Sequence, residues 1–123
     1  MNQEIASLFQ KWNDALKTRD PKNVVALYDT DAILLPTVSN QVRHNHSEIT
    51  DYFEGFLAKG PVGAIDESNV RIHSDIAINS GVYTFTFADG AKVPARFTFV
   101  YRWNGEHWLI IEHHSSQMPE SQA

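Results

Sequence analysis

A chain of 123 residues, with 42% hydrophobic and 11% aromatic residues, falls in the range of a single globular domain that buries roughly two thirds of its unfolded surface, which excludes disordered and fibrous classes. A net charge of −5 without any basic stripe argues against a nucleic-acid or anionic membrane partner. The absence of Cys excludes disulfides, thiolate metal sites and a cysteine nucleophile.

Ile5, Leu8, Phe9, Trp12 and Leu16 recur every three or four residues and predict a docked helix over 2–18. That stretch interleaves charged with apolar positions, and no later run is long enough to span a membrane, so the expected location is the cytoplasm. Asp20-Pro21 begins a short second helix, because Asp caps free N–H groups and Pro wastes no donor at the first helical position. Val24, Val25, Leu27 and Tyr28 supply its buried side. The apolar run Ala32 to Leu35, stopped by Pro36, predicts a brief strand. Beyond a polar loop around Ser39-Asn40, Ser47 is expected to cap a third helix. Ile49, Tyr52, Phe53, Phe56 and Leu57 form its apolar face, and Gly60-Pro61 ends it.

From residue 64 the period changes to two, predicting strands over 64–72, 75–88, 92–103 and 106–115. Asp89-Gly90 and Asn104-Gly105 punctuate them. Asn-Gly between alternating runs predicts a type I′ hairpin, so the last three strands are antiparallel neighbours. Residues 1–123 thus read as one α+β domain, with the first and third helices across one face of a curved antiparallel sheet and only the tail 117–123 dispensable.

Along 92–103, Arg96, Thr98, Val100 and Arg102 share one face, and Phe97, Phe99, Tyr101 and Trp103 the other. Counting back from the Asn-Gly turn and pairing across it puts the Thr98 side with Leu109, Ile111, His113 and Ser115, to within one residue of register. If that face is concave, Arg96, Thr98, His113 and Ser115 line a hollow floored by Ile111 and roofed by Tyr52, Phe53 and Phe56. A guanidinium there suits a carboxylate ligand, since Arg grips two oxygens at once. The competing reading makes Arg96 a snorkelling residue at a strand end. Glu112 and His114 point the other way, toward a natural subunit contact.

His113 and Asp31 are the candidate proton carriers, although Asp29-Thr30-Asp31 also reads as a simple turn. Ser115 and Ser116 stand near His113 and His114 without the strained elbow of a nucleophile. His44 and His46 alternate onto one side of an extended segment but lack a third ligand, so neither metal nor cofactor is expected.

Leu27 to Arg43 (LYDTDAILLPTVSNQVR), Tyr52 to Leu57 (YFEGFL), Ser80 to Phe87 (SGVYTFTF), Ala95 to Trp108 (ARFTFVYRWNGEHW) and His113 to Glu120 (HHSSQMPE) resemble the bacterial SnoaL-like proteins. More narrowly they resemble the branch related to the association domain of calcium/calmodulin-dependent protein kinase II, over almost the whole chain. The resemblance implies a nuclear transport factor 2-like (cystatin-like) cone, a homodimer at least, and a ring as the larger option. It brings no kinase, because the chain lacks a glycine-rich loop and a catalytic Asp loop. In the kinase hub the cavity is arginine-lined and accepts small acids. By position, Thr98 and Ser115 stand where two hub arginines would be, which leaves Arg43 or Arg96 to supply the charge.

Three readings stay open. The first is a non-catalytic, homo-oligomeric domain that binds a compact acid or polar aromatic through Arg43 or Arg96, Tyr52, Phe56, Thr98, His113 and Ser115. The second is an isomerase, cyclase or dehydratase with His113 or Asp31 as proton carrier. The third is a pure assembly module whose interface is the face of Phe97, Phe99, Tyr101 and Trp103.

Overall fold

The computed structural model describes residues 2–37 and 39–120. Helix α1 (Asn2–Lys17) buries Ile5, Phe9, Trp12 and Leu16, the stripe that the three-to-four spacing marks out. Asn13 is buried beside them and is satisfied on both sides of its amide. Its Nδ2 donates to the Gly63 carbonyl (3.0 Å) and its Oδ1 accepts from the Gly63 amide (2.8 Å), which pins the helix to the sheet. Helix α2 (Pro21–Val25) starts where expected, with Asp20 accepting from the Lys22 amide and Pro21 in its first turn.

Strand β1 (Tyr28–Leu35) is longer than the apolar run alone suggests. Helix α3 (His46–Leu57) is capped by Asn45, whose side chain accepts from the Glu48 amide, and not by Ser47. Both residues are good caps by type. Asn45 takes the role because His46 is already helical, which leaves Ser47 inside the first turn and exposed.

Four strands complete the chain: β2 (Val62–His73), β3 (Ile76–Thr86), β4 (Lys92–Trp103) and β5 (Trp108–Gln117). They form one five-stranded sheet in the order β1-β5-β4-β3-β2. The last three strands are antiparallel neighbours as expected, but β1 joins β5 in parallel, so the sheet is mixed. The β4–β5 connection is not the two-residue type I′ turn that Asn-Gly suggests. Trp103 pairs with Trp108 across four residues, and of the Asn104-Gly105 pair only Gly105 has a positive φ (103°). Asn104 Oδ1 instead accepts from the amides of Glu106 and His107.

A second irregularity governs the site. Between the pairs Tyr101–Ile110 and Val100–Glu112, Ile111 is an extra residue, a β-bulge. Every later residue of β5 is thereby shifted by one, so His113 faces Phe99 and Ser115 faces Phe97. Phe97, Phe99 and Tyr101 are buried under the helices with Tyr83 and Phe85 of β3, whereas Arg96 and Arg102 are exposed on the outer face beside half-buried Thr98 and Val100. The aromatic stripe of β4 is therefore core, and only Trp103, at the strand end, is exposed. Phe53 and Ile49 of α3 and Trp12 of α1 close the same core.

Candidate functional site

At the centre of the cone lies a ladder of polar groups threaded through aromatic rings. Trp12 Nε1 donates to the Tyr28 hydroxyl (3.2 Å), and that hydroxyl lies 2.8 Å from His113 Nδ1. His113 Nε2 is 3.2 Å from the Tyr83 hydroxyl, which donates to Ser115 Oγ at 2.6 Å. Ser115 in turn hydrogen-bonds Thr37 Oγ1. The Tyr83 hydroxyl spends its one proton on Ser115 Oγ, so it accepts from His113 Nε2–H, and the neutral ring leaves Nδ1 as an acceptor. Tyr28 accepts from Trp12 and spends its own proton on Nδ1. The last bond, between Ser115 Oγ and Thr37 Oγ1, allows either hydroxyl to donate.

His113 is 3% exposed, stacks on Phe99 with centroids 4.0 Å apart, and meets Trp12 edge-on at 5.4 Å. Burial pushes its pKa down to about 3, with a minor contribution from His114, so the imidazole is neutral. The same burial holds the Tyr28 and Tyr83 phenols well above their ordinary range. The ladder is thus a neutral, fully paired network, which rigidifies a core rather than storing charge in it.

The ladder ends at a small cavity between α1, α3 and the sheet, lined by Trp12, Leu34, Thr37, Tyr52, Phe53 and Phe56 among others, with His113 and Ser115 in its wall. Its volume is about 10 Å³, which is room for one water. Tyr52 and Phe56 stack at 5.6 Å and form the α3 side, as expected. The Arg43 guanidinium lies 5.5 Å from the Tyr52 ring centre and donates to Ser39 Oγ, while the Arg43 backbone pairs with Leu34. Burial pushes the Tyr52 phenol up to about 12, partly offset by that guanidinium.

The expected site residues therefore separate into two groups. Arg43, Tyr52, Phe56, His113 and Ser115 gather at or beside the cone. Arg96 and Thr98 do not: both lie on the outer face, because the bulge at Ile111 moved His113 and Ser115 away from them. Ile111 sits at the bulge and does not line the cavity. Asp31 is exposed on β1 and does not line the cavity. His44 pairs with Glu48 at 2.9 Å, and hydrogen bonds from His44 hold the Glu48 carboxyl below its usual range. His46 contacts the Tyr28 carbonyl through Nε2 (2.7 Å), so the two histidines serve different partners. Among the described residues no group of three or more His, Asp or Glu is placed to hold a metal ion, and no helix is long and apolar enough to cross a membrane. Tyr28 and Tyr83 escape the sequence reading, which places Tyr28 on the buried side of the second helix and gives Tyr83 no role beyond its place in the segment Ser80 to Phe87. Their hydroxyls show their role only once the bulge brings His113 between them.

The model of the calcium/calmodulin dependent protein kinase II association domain family matches residues 1–119. The chain belongs to that family. A candidate association domain of this kind from Xanthomonas campestris is 50% identical, with a TM-score of 0.92 over 96% of this chain and 88% of that one. An NTF2-like protein of unknown function from Pseudomonas putida KT2440 is 22% identical (TM-score 0.82, covering 94% of this chain and 84% of its own). A candidate ketosteroid isomerase from Parabacteroides distasonis is 23% identical (TM-score 0.78, covering 97% and 89%). At such identity these two show the fold, an NTF2-like, cystatin-like cone, and nothing of the chemistry. Among the curated proteins no match is found.

Proposed function

We propose that this association-domain chain is a non-catalytic subunit of a homo-oligomer, which pairs through the outer face of its sheet and holds a compact polar ligand in its cone. The observation that carries this reading is the uncovered outer face. All the helices pack on the inner side, leaving Ile78, Val82, Thr98 and Val100 as an adjacent half-buried cluster on β3 and β4. Exposed Arg96 and Arg102 lie on the same face as exposed Glu112 and His114. An apolar centre with a rim of both charge signs is self-complementary under a two-fold axis, as a subunit contact requires.

The network at His113 argues against proton-transfer chemistry. Both ring nitrogens are engaged by tyrosines, and burial holds the imidazole neutral with a pKa of about 3, far from that of an efficient base at neutral pH. Tyr83, Ser115 and Thr37 offer hydroxyls to a small ligand at the cavity, with Arg43 as the cation beside Tyr52. A cavity of about 10 Å³ must widen to admit such a ligand, by separation of Thr37 from Ser115.

Light scattering coupled to size exclusion tests the assembly. The protein is expected to run as a multiple of 13.9 kDa, and Val100→Asp as the 13.9 kDa monomer with an unchanged far-UV spectrum. A monomeric parent, or an unaltered oligomer in Val100→Asp, would remove the proposed interface. Titration with butyrate, followed at the Trp12 indole resonance, tests the ligand. A saturable shift that Arg43→Ala weakens is expected, and equal shifts in both proteins would exclude Arg43 as the anchor.

A further inference from the structure

The β4–β5 hairpin ends the sheet in a pair of indoles. Trp103 closes β4 and Trp108 opens β5, and the two are partners across the hairpin. Their ring centres lie 5.6 Å apart with the planes inclined at 56°, so the rings form two walls of a corner rather than a stack. Trp103 is the exposed member of a stripe whose other aromatics, Phe97, Phe99 and Tyr101, are core.

Both indoles line an open hollow of about 370 Å³, together with Glu4 from the first turn of α1 and Ser74 and Asp75 from the turn between β2 and β3. Among the described residues its walls thus carry two indoles, two carboxylates and a hydroxyl, and no Lys, Arg or His. The backbone holds Asp75 in place, because its carbonyl accepts from the Trp103 amide at 2.8 Å and docks the turn on the end of β4. Arg102 Nε lies 3.8 Å from the Asp75 carboxylate, but both side chains are more than half exposed. Water screens such a pair, which leaves the Asp75 charge available. Lys11, Glu106 and His107 border a neighbouring hollow that shares Glu4 and both indoles.

The face of an indole attracts a cation within about 6 Å of the ring centre, and rings 5.6 Å apart allow one cation to meet that condition at both. Glu4 and Asp75 supply the counter-charge, and the net charge of −5 favours the approach of a cation. The walls also select the kind of cation. A compact, strongly hydrated ion loses water against indoles without oxygen ligands to replace it, and no group of three His, Asp or Glu gathers among the described residues. An alkylated ammonium is weakly hydrated and presents methyl groups to the rings. We infer that the Trp103–Trp108 corner is a binding site for a small quaternary ammonium compound, held between the two indoles with Glu4 and Asp75 as its counter-charges. The site shares no lining residue with the cone cavity and does not depend on a ligand there.

The chain contains three tryptophans, and they report separately, since Trp12 belongs to the cone. Choline is titrated at low ionic strength, with 3,3-dimethylbutan-1-ol as its uncharged carbon isostere, while the indole N–H signals are followed by nitrogen-15 NMR. Choline is expected to shift Trp103 and Trp108 saturably and to leave Trp12 unmoved. The isostere is expected to bind at least about fivefold more weakly, the worth of a cation over exposed aromatic faces. Trp103→Leu, at an exposed strand end, is expected to weaken choline by a similar factor. Glu4→Gln combined with Asp75→Asn, both at exposed positions, is expected to weaken choline about fivefold and to leave the isostere unchanged. The inference fails if choline gives no saturable shift, if Trp12 moves as much as the others, or if the isostere binds as well as choline in the unmodified protein. Unchanged choline affinity in the Glu4→Gln, Asp75→Asn protein would also overturn it.

Discussion

Phe99 and His113 face each other across β4 and β5 with ring centres 4.0 Å apart, and this pairing sets the character of both faces of the sheet. It exists because Ile111 is left out of the ladder. Without that bulge His113 would stand opposite Thr98 on the outer face, and the tyrosines beneath the helices would lack their shared hydrogen-bond partner.

Burial of a neutral His113 predicts acid sensitivity of known sign. The folded pKa, about 3, lies below the ordinary value of 6.5, so between these limits the unfolded chain binds the extra proton. Stability is therefore full above the unfolded pKa and falls as pH drops toward 3, by about 1.4 kcal/mol per pH unit within the window. Urea midpoints between pH 7 and 4 measure this. His113→Asn, which cannot titrate, is expected to start less stable and to show a slope shallower by that amount. An identical slope in the two proteins would mean that water reaches the imidazole.

Gly81 is required by space rather than by its φ angle. A Cβ at this position would lie 2.0 Å from the Glu67 carbonyl oxygen, next to the irregularity where β2 bulges against β3. A backbone oxygen cannot rotate aside as a flexible side chain does, so Gly81→Ala must push β2 away. The expected loss is about 1–3 kcal/mol by urea unfolding, characteristic of overpacking, and toward the upper end because the contact is backbone. Gly90→Ala, at a turn with φ of 89° and open space around it, meets no such contact and is expected to lose only about 1 kcal/mol from backbone strain.

The helices were legible because their signals are local. Trp12 and Leu16 repeat the helical period, and Asp20-Pro21 starts α2 by chemistry that needs no distant partner. The family resemblance was legible for the same reason, being spread over ordered segments of the chain. The face of β4 was not. Alternation says that Arg96 and Phe97 point oppositely but not which is inside, and pairing from the Asn-Gly turn gives the wrong answer once a single residue, Ile111, bulges. Arg96 therefore became a cavity residue in the sequence reading and is an exposed one in the structure. β1 joining β5 in parallel was equally hidden, since the parallel register depends on contacts more than seventy residues apart, such as Leu34 with His113.

The α3 cap separates two residues that sequence alone treats as equals. Asn45 accepts from the Glu48 amide at 2.9 Å, whereas Ser47 lies exposed within the first helical turn. Asn45→Ala is expected to lower stability by about 1 kcal/mol and Ser47→Ala by less than about 0.5 kcal/mol. The reverse order in thermal unfolding would move the start of α3 by two residues.

The His113 ladder makes the strongest claim about cooperativity, because its two tyrosines share one ring. Tyr83→Phe removes a bond to His113 Nε2 and another to Ser115, and Tyr28→Phe strands both the Trp12 N–H and His113 Nδ1. Each substitution keeps the aromatic ring and its packing, so the expected loss of about 1–3 kcal/mol comes from unpaired buried groups. The direction of the chain adds a further expectation. With Tyr28 gone, Nδ1 can no longer accept, the preference for the Nε2–H tautomer is relaxed, and the bond to Tyr83 weakens with it. The double variant should then lose less than the sum of the singles, with a coupling energy of about 0.5–1 kcal/mol in a double-mutant cycle. Strict additivity would mean that the imidazole bonds the two hydroxyls independently, and would remove the directional relay from Trp12 to Ser115.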